Sequence, residues 1–386
     1  MAYRIGIDAR KLRDESGIGS YIRNLTRALA ELDKVNEYYL FVSSWDDPLL
    51  DQLGDNFHAV VESCPVFSVR EQLSLSWRLM RHKLDLYHAT HYLLPAIVPC
   101  RSVITVYDIL DVFYPHFRSS PLAFYYAQRQ IRRSLARGDR IIADSRNTKT
   151  DLMDRLGIDG RSIRVVYPGV AAAFGTPVEA DTVDSTLARL GIERPYLLLV
   201  DDPPGRSNLD RTVRAFASAL ERRQFDGSLV CVGPRSQLDF KVSRRAQRLG
   251  VADRLVLLGS LSSEDQPAVY QSAELFLYPV LEDTSGLIVA DALASGVPVV
   301  ASATAALREV AEGYAVLVDP LDGKQIANAI AGLMENRERR DELSRLGAKR
   351  AADFAWRGAA EKTLEAYESA LRLRSWRPGL RRGAGE

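Results

Sequence analysis

Two aspartates separated by seven residues, Asp283 and Asp291, are the side chains of this sequence best placed to do chemistry. The first lies in a loop of sequence DTSG, and the second lies about one turn into the apolar helix predicted to follow. The hydroxyl of Ser285, or of the threonine before it, can cap that helix, which leaves the amides of Gly286 and Leu287 free for an anion. The alternative without a ligand is that Asp283 is an ordinary loop acid and that Asp291 lies on a solvated face of its helix. Because Asp291 interrupts an apolar helix, we expect it to have a polar partner.

A pair of glycines, Gly17 and Gly19, precedes the first predicted helix. Glycines at the start of a helix let a ligand approach the backbone closely, and the helix amides favour an anion there. This pattern predicts an opening the size of a phosphate or a sugar. A tight turn with no ligand explains the same two residues equally well.

A third candidate is the loop after the apolar run LLLV, where Asp201 and Asp202 are followed by PPGRSN. In an α/β domain, a loop from a strand to a helix faces the ligand crevice. This loop presents acid first and only one base, Arg206, before a helix begins at Asn208. A carboxylate beside a phosphate is repulsive unless it pairs with a base, so Arg206 has two competing partners: the ligand and the neighbouring aspartates.

These residues sit in a chain whose short β-branched runs alternate with helix-length amphipathic segments. Such alternation predicts βαβ units and parallel sheets covered on both faces. The pattern is interrupted by a stretch of small, acidic and turn residues and then resumes. We therefore predict two Rossmann-like, doubly wound domains facing a central cleft. The expected segments are a domain over 1–172, a linker over 173–195, a second domain over 196–355, and a returning helix with a basic tail over 356–386.

Composition narrows the classes of function. Fifty-one basic and fifty acidic residues leave a formal charge of +1, so nothing draws the chain to nucleic acid. The three cysteines and five histidines show no metal-ligand spacing, and Cys231 lies in an apolar run that predicts a buried thiol. With no signal peptide and no apolar run long enough to span a bilayer, we expect a cytoplasmic protein, at most attached to a membrane surface.

The C-terminal stretch LRLRSWRPGLRRGAGE places five arginines around Trp376. It has two interpretations: a peripheral anchor for anionic lipid, or a frayed basic tail. Its few apolar residues favour the frayed tail.

Several motifs together resemble family 4 (group 1) retaining glycosyltransferases of the GT-B fold. GIDARKL followed by SGIGSYIRNLTRAL is similar to their opening strand, glycine loop and first helix. LFLYPVLEDTSGLIVADALASGVPVVAS resembles their donor-binding signature, in which two glutamates are separated by seven residues. Asp283 and Asp291 keep that spacing with shorter side chains. Smaller matches, such as TVYDI, IIADSRNT and AVLVDP, extend the resemblance over almost the whole chain.

The resemblance implies a C-terminal domain that binds a nucleotide-diphosphate sugar and an N-terminal domain that binds a carbohydrate or lipid-linked acceptor. It implies transfer of a hexosyl-type sugar with retention, without a metal or other cofactor. Breaking a glycosyl–phosphate bond requires fixed positive charge at the diphosphate and hydroxyl-binding groups at the sugar. The family's pattern, carried over by position, gives these roles: Arg206 with the amides of Gly286 and Leu287 at the diphosphate, Asp283 at the sugar, Asp291 at the ribose, and Gly17 and Gly19 beside the donor.

The sequence departs from the family at several contact positions. Asp201 stands at the usual glycine, and Ser207 replaces the lysine that normally follows the base, whereas Asn208 is kept. Tyr107 replaces the histidine that in the family contacts the donor sugar, so any catalytic contact there would come from a phenol.

Two hypotheses follow. The leading one is a transferase in cell-envelope polysaccharide or glycoconjugate assembly, with membrane contact confined to the inner face. The alternative is a catalytically inactive relative that binds or scaffolds a partner glycosyltransferase. A nucleotide-dependent oxidoreductase is disfavoured, because no GxGxxG follows a predicted strand.

Overall fold

Parallel β-sheets organise both halves of the chain. The structure is a computed structural model, and it describes residues 2–14, 17–66, 68, 70–107, 121–201, 208–222, 224–233 and 235–373. The chain divides into two units: the first comprises the residues up to Gly169 together with those from Trp356 onward, and the second is Val170–Ala355. Two parallel-sheet, Rossmann-like units confirm the predicted fold class.

The first unit contains a seven-stranded sheet in the order β3-β2-β1-β4-β5-β6-β7. With elements numbered along the chain, its strands are β1 (Arg4–Asp8), β2 (Glu37–Val42), β3 (Phe57–Val61), β4 (Leu86–Ala89), β5 (Arg101–Val106), β6 (Arg140–Ala143) and β7 (Ile163–Val165). Its helices are α1 (Gly17–Leu32), α2 (Glu71–His82), α3 (Pro121–Arg137), α4 (Arg146–Leu156) and α14 (Trp356–Leu371).

Both faces of this sheet are buried. Val103 and Ile142 belong to the core on one face, whereas their chain neighbours Ile104 and Ile141 belong to the core on the other. Because successive residues of a strand point to opposite faces, a strand covered on both sides must be apolar throughout. This explains why the strands read as continuous apolar runs.

Helix α14 completes the core of the first unit. Its alanines allow close packing on α1, and its Tyr367 is 1% exposed. The Tyr367 hydroxyl lies 2.7 Å from His88 Nδ1, and His88 Nε2 lies 2.7 Å from Thr105 Oγ1. Burial lowers the pKa of His88 to about 3, so this histidine stays neutral and acts as a structural link between strands and helix.

The second unit contains a six-stranded parallel sheet in the order β10-β9-β8-β11-β12-β13. Its strands are β8 (Tyr196–Val200), β9 (Ser228–Val232), β10 (Leu255–Leu258), β11 (Leu275–Tyr278), β12 (Val299–Ser302) and β13 (Val316–Val318). Its helices are α5 (Ala172–Gly175), α6 (Ala180–Leu190), α7 (Leu209–Glu221), α8 (Arg235–Arg248), α9 (Gln266–Gln271), α10 (Leu287–Ala294), α11 (Ala305–Ala311), α12 (Gly323–Glu335) and α13 (Arg337–Ala351). The free thiol of Cys231 lies in its core, as expected, and burial raises the pKa of that thiol.

Residues 173–195, predicted as a linker, fold largely as α5 and α6 within the second unit. The side chain of Gln271 fixes the segment between these helices. Its amide donates to the carbonyls of Phe174 and Thr176, and its oxygen accepts from the amide of Val178. The stretch that interrupts the strand–helix alternation is therefore packed onto the second unit, and the ring of Phe174 against Tyr270 and the ion pair of Arg189 with Asp265 add to the bonds of Gln271.

Within the described ranges, no helix is both long enough and apolar enough to cross a membrane.

Candidate active site

The ligand crevice of an open α/β sheet lies outside the carboxyl ends of the strands, where the strand order reverses. In the second unit that point falls between β8 and β11, which are neighbours in the sheet but distant in the chain. The loops that leave these two strands carry Asp201, Asn208, Asp283 and Gly286. The structure thus brings together, within one unit, most of the residues predicted to bind a donor.

Asp283 holds the turn that precedes α10. Its Oδ1 accepts hydrogen bonds from the amides of Ser285 (3.0 Å) and Gly286 (2.5 Å), and its Oδ2 accepts one from the hydroxyl of Tyr278 (3.1 Å). The prediction that the Gly286 amide is free for an anion is therefore wrong, because the carboxylate of the same loop already occupies it. The Leu287 amide faces Ser285 Oγ at 3.4 Å, a long contact that a ligand can displace.

Gly286 is required by two independent features of this turn. Its φ of 69° lies in the left-handed region, which a residue with a Cβ adopts only at a cost. A Cβ at this position would also lie 2.6 Å from Cγ2 of Val310. The glycine allows α11 to pack directly against the start of α10.

Asp291 lies about one turn into α10, and among the described residues its carboxyl group has no hydrogen-bond or ion-pair partner. Part of the residue's surface remains accessible, yet the carboxyl group is surrounded closely enough by protein that burial raises its pKa to about 8. The polar partner expected from the sequence is thus not found in the described part of the chain. At neutral pH the group is mostly protonated, so it can both donate and accept a hydrogen bond.

Asn208 serves the scaffold of the site. Its amide nitrogen donates to the carbonyls of Pro279 (2.8 Å) and Pro320 (2.6 Å), and its oxygen accepts from Arg211 (3.0 Å). Both amide protons are therefore used to join the start of α7 to the chain leaving β11 and β13. This position, predicted to bind the donor, instead sets the spacing of the loops around the crevice.

Two residues predicted for the diphosphate, Arg206 and Ser207, lie outside the described residues, as does Asp202. Asp201 is described and is 2% exposed, with its amide bonded to the carbonyl of Val232.

In the first unit, the two predicted glycines differ in what they require. A Cβ on Gly19 would lie 1.9 Å from the carbonyl oxygen of Asp14, so only glycine fits there. Arg23 braces the same turn by donating to the carbonyls of Leu12 and Asp14. A Cβ on Gly17 meets no atom within 4 Å, so nothing in the structure demands glycine at that position.

Tyr107 follows the carboxyl end of β5, and its side chain is engaged by the protein. The hydroxyl donates to the carbonyl of Thr90 (2.9 Å), and the ring packs edge-on against Tyr21 with centroids 5.0 Å apart. Burial raises the pKa of Tyr107 well above its usual value. The phenol therefore stays protonated at neutral pH, and its packing gives it a structural role.

A buried ionic cluster at the carboxyl ends of β1 and β4 was missed in the sequence. Arg10 donates to both oxygens of Asp8 (2.8 and 2.6 Å) and to Glu71 (2.5 Å), while His91 Nε2 lies 3.0 Å from Asp8. Burial alone would raise the pKa of Asp8, but the charge of Arg10 holds it well below its usual value. In the sequence, only Asp8 and Arg10, which are two positions apart, could have indicated this cluster. Its other members, Glu71 and His91, are far away in the chain.

Oxygen and nitrogen atoms of Asp8, Glu71 and His91 lie within 4.8 Å of one another, which is a spacing that a metal ion can use. The spacing of cysteines and histidines in the sequence does not reveal this group, because its three members are far apart in the chain. However, the Arg10 guanidinium already bonds both carboxylates and offsets one of their two negative charges.

Comparison with known protein families agrees with this architecture. The model of the family described as glycosyl transferases group 1 matches residues 189–350, and that of glycosyltransferase family 4 matches residues 16–174. These two matches cover nearly all of both sheets. The chain belongs to the group 1 and family 4 glycosyltransferases, and it has the GT-B fold.

Individual proteins show the same relationship. A D-inositol 3-phosphate glycosyltransferase of Salinispora arenicola is 29% identical over 93% of this chain and 88% of the relative. One from Salinispora tropica is 31% identical over 66% of this chain, and the match spans 55% of that relative's length. Among solved structures, Anabaena HepE in complex with UDP and glucose superposes with a TM-score of 0.72 at 16% identity, over 95% of this chain and all of that one. The predicted fold and family are confirmed.

Proposed function

We propose that this glycosyltransferase moves a hexosyl group from a nucleotide-diphosphate donor to a carbohydrate or lipid-linked acceptor, with retention at the anomeric carbon. The proposal places the reaction in the assembly of cell-envelope polysaccharide or glycoconjugates. The observation that supports it best is Asp291, a half-buried residue at the switch point of the second sheet whose carboxyl group has no partner among the described residues. The names of the relatives, which are glycosyltransferases, and the UDP and glucose bound by HepE support the same donor chemistry.

The chemistry of Asp291 fits a ribose diol. A neutral carboxyl group donates one hydrogen bond through its hydroxyl and accepts another through its carbonyl, and adjacent hydroxyls offer the matching pair. Placing a neutral group there also avoids repulsion with the donor's diphosphate. We infer that Asp291 binds the ribose and that Arg206 and the Leu287 amide contact the diphosphate.

Asp283 contributes in this proposal by holding the turn that the donor meets. Its two bonds to the Ser285 and Gly286 amides fix the start of α10, and the donor sugar would contact the outer edge of the same carboxylate. A preorganised polar group of this kind stabilises developing charge without having to reorganise during the reaction.

Calorimetric titration with UDP, GDP, ADP and dTDP tests the proposal, followed by donor hydrolysis with any nucleotide that binds. We expect one nucleotide to bind and Asp291→Ala to weaken it about tenfold, which corresponds to the loss of one or two neutral hydrogen bonds. Asp341→Asn, an exposed acid on α13, is the matched control and should bind as the wild type does. Failure of all four nucleotides to bind in the millimolar range would refute the proposal.

The stereochemistry and the inactive alternative are tested by the same assay. Retention predicts that the product released from an α-linked donor keeps the α configuration, which proton NMR reads directly. Binding of a nucleotide without turnover of any donor would instead favour the catalytically inactive scaffold, an alternative for which the comparisons give no support.

We also propose that catalysis needs no metal ion. Because the Arg10 guanidinium already bonds both Asp8 and Glu71, a divalent cation would have to displace it from the two carboxylates. Donor hydrolysis should therefore be unchanged after treatment with EDTA. A rate that falls with EDTA and returns with Mg²⁺ or Mn²⁺ would contradict this.

A further inference from the structure

Helix α2 exposes three large apolar side chains on one side. Leu73 is 73% exposed, Trp77 54% and Met80 47%. Their spacing of four and then three residues places them along one face of the helix. The opposite face carries Leu75 and Leu79, which are buried in the core of the first unit. The helix is thus anchored to the sheet on one side and apolar on its outer side as well.

The rim of this outer face is positively charged. Arg70, Arg81 and Lys83 are exposed, and the Arg81 guanidinium lies 5.4 Å from the centre of the Trp77 ring. Between residues 64 and 83 the sequence contains one acid, Glu71, which is buried and ion-paired. The exposed charges from Arg70 to Lys83 are therefore all of one sign, and the exposed acid Asp85 follows just outside this range.

A neighbouring segment extends the apolar character. The amide of Ile97 donates to Ser76 Oγ at 3.0 Å, which holds this loop against α2. Ile97 is 55% exposed, and residues 86–100 contain no acid. An apolar centre with a predominantly basic rim thus spans the helix and the loop beside it, and Asp85 is the one exposed acid of residues 64–100 that the structure describes.

We propose that this face, called the α2 surface and formed by Leu73, Trp77, Met80, Arg70, Arg81 and Lys83, docks onto a bilayer that contains anionic lipid. Apolar side chains on a helix that lies flat on a membrane enter the boundary between headgroups and acyl chains, and lysines and arginines pair with anionic headgroups. Tryptophan favours this boundary because it is apolar with one polar edge. We commit to a bilayer because the three exposed bases, Arg70, Arg81 and Lys83, outnumber the one neighbouring exposed acid, Asp85, and a predominantly basic rim complements a uniformly anionic surface.

The inference deepens the proposed function, since a lipid-linked acceptor would be met at the same membrane. Only the statement about the acceptor rests on the proposed function, because docking onto the membrane itself needs no catalysis. The inference also assigns the membrane contact to α2 and not to the arginine-rich tail, most of which lies outside the described residues.

Co-sedimentation with vesicles tests the proposal, using phosphatidylcholine alone and phosphatidylcholine mixed with phosphatidylglycerol. We expect the full chain to bind the mixed vesicles at least about tenfold more than the neutral ones, and raised salt to weaken binding. The variant Leu73→Ser/Trp77→Ser/Met80→Ser should lose at least about tenfold in binding, because three exposed apolar side chains no longer enter the lipid. Trp45→Ser removes a 65% exposed tryptophan elsewhere in the first unit and should bind as the wild type does.

The outcomes separate the alternatives. Equal binding by the triple variant and the wild type, or no binding by the wild type, overturns the proposal. So does a lipid-free dimer of the wild type that the triple variant fails to form, which would assign the face to a second copy of the chain. A chain that ends at residue 373 should still bind, and its failure to do so would assign the contact to the tail. Donor hydrolysis should be the same in the triple variant and the wild type, so a failed docking test and a failed functional proposal give different results.

Discussion

At the scale of single residues, the two aspartates of the donor-site pattern have different roles. Asp283 folds back onto its own loop and accepts from the amides two and three residues later, a geometry for which the short side chain of aspartate is well suited. Asp291 makes no such bond among the described residues and remains available. Aspartate in place of the family's glutamate therefore fixes the loop at position 283. At position 291 it leaves a carboxyl group that makes no bond to the described residues.

Gly286→Ala should destabilise the second unit. The left-handed backbone costs about 1–2 kcal/mol for a residue with a Cβ, and the overlap with Val310 adds about 1–3 kcal/mol. Gly296→Ala is a matched control, because Gly296 has a similar φ of 71° but open space around it, so only the first cost applies. Urea unfolding should show a larger loss for Gly286→Ala, and equal losses would show that the contact with Val310 is unimportant.

The raised pKa of Asp291 predicts a dependence of stability on pH. Between the ordinary pKa near 3.8 and the folded value of about 8, the unfolded chain loses this proton while the folded chain keeps it. Stability contributed by the neutral group therefore decreases as the pH rises through this window. Asp291→Asn, which cannot ionise, should be close to the wild type near pH 4 and more stable by about 2 kcal/mol or more near pH 8. Parallel pH profiles of unfolding for the two proteins would show that the carboxyl group is ionised in the fold.

At the scale of elements, the strands and helices were predictable because their apolar periodicity is local. Helices α2 and α3, for example, coincide with helix-length amphipathic segments of the sequence. Side-chain partners were not predictable, because they join distant parts of the chain. Asn208 bonds to carbonyls 71 and 112 residues away, and no local pattern distinguishes such an asparagine from a ligand-binding one.

The buried ionic cluster joins three elements in the same way. Asp8 ends β1, Glu71 begins α2, and Arg10 lies between their carboxylates. Arg10→Met should cost about 3–5 kcal/mol of unfolding free energy at neutral pH, because it leaves two carboxylates buried without their partner. The triple variant Arg10→Met/Asp8→Asn/Glu71→Gln should recover much of that loss, since it removes the charges as well.

The pH provides a further check on this cluster. Without Arg10, burial raises the pKa of Asp8, so acid neutralises this carboxyl group and the deficit of Arg10→Met should shrink between pH 7 and pH 4. A deficit that is the same at both pH values, with no recovery in the triple variant, would mean that lost packing of the arginine stem causes the effect.

At the scale of the whole molecule, the two units differ in how the chain builds them. The second unit is one continuous segment, Val170–Ala355, whereas the first is completed by a helix that follows it in sequence. The βαβ alternation was sufficient to predict two domains. Gly169 fits closely against Trp356, because a Cβ on the glycine would lie 2.4 Å from the Trp356 backbone nitrogen. This contact has no signature in the sequence, since it depends on how the last helix returns to the first unit.

This chain path predicts that the two units respond differently to truncation. A chain that ends at Ala355 lacks Trp356, which packs against Tyr21 with ring centroids 5.6 Å apart, and Tyr367, which bonds His88. Losing this 16-residue helix lowers the free energy of unfolding of the first unit by more than about 5 kcal/mol, which is comparable to the whole stability of many domains. Hydrogen exchange should therefore lose its protection in β1, β4 and β5, while β8 and β11 keep theirs. A chain that ends at residue 373 retains all of α14 and serves as the control. Equal loss of protection in both units of the shorter chain would show that the second unit also depends on the last helix.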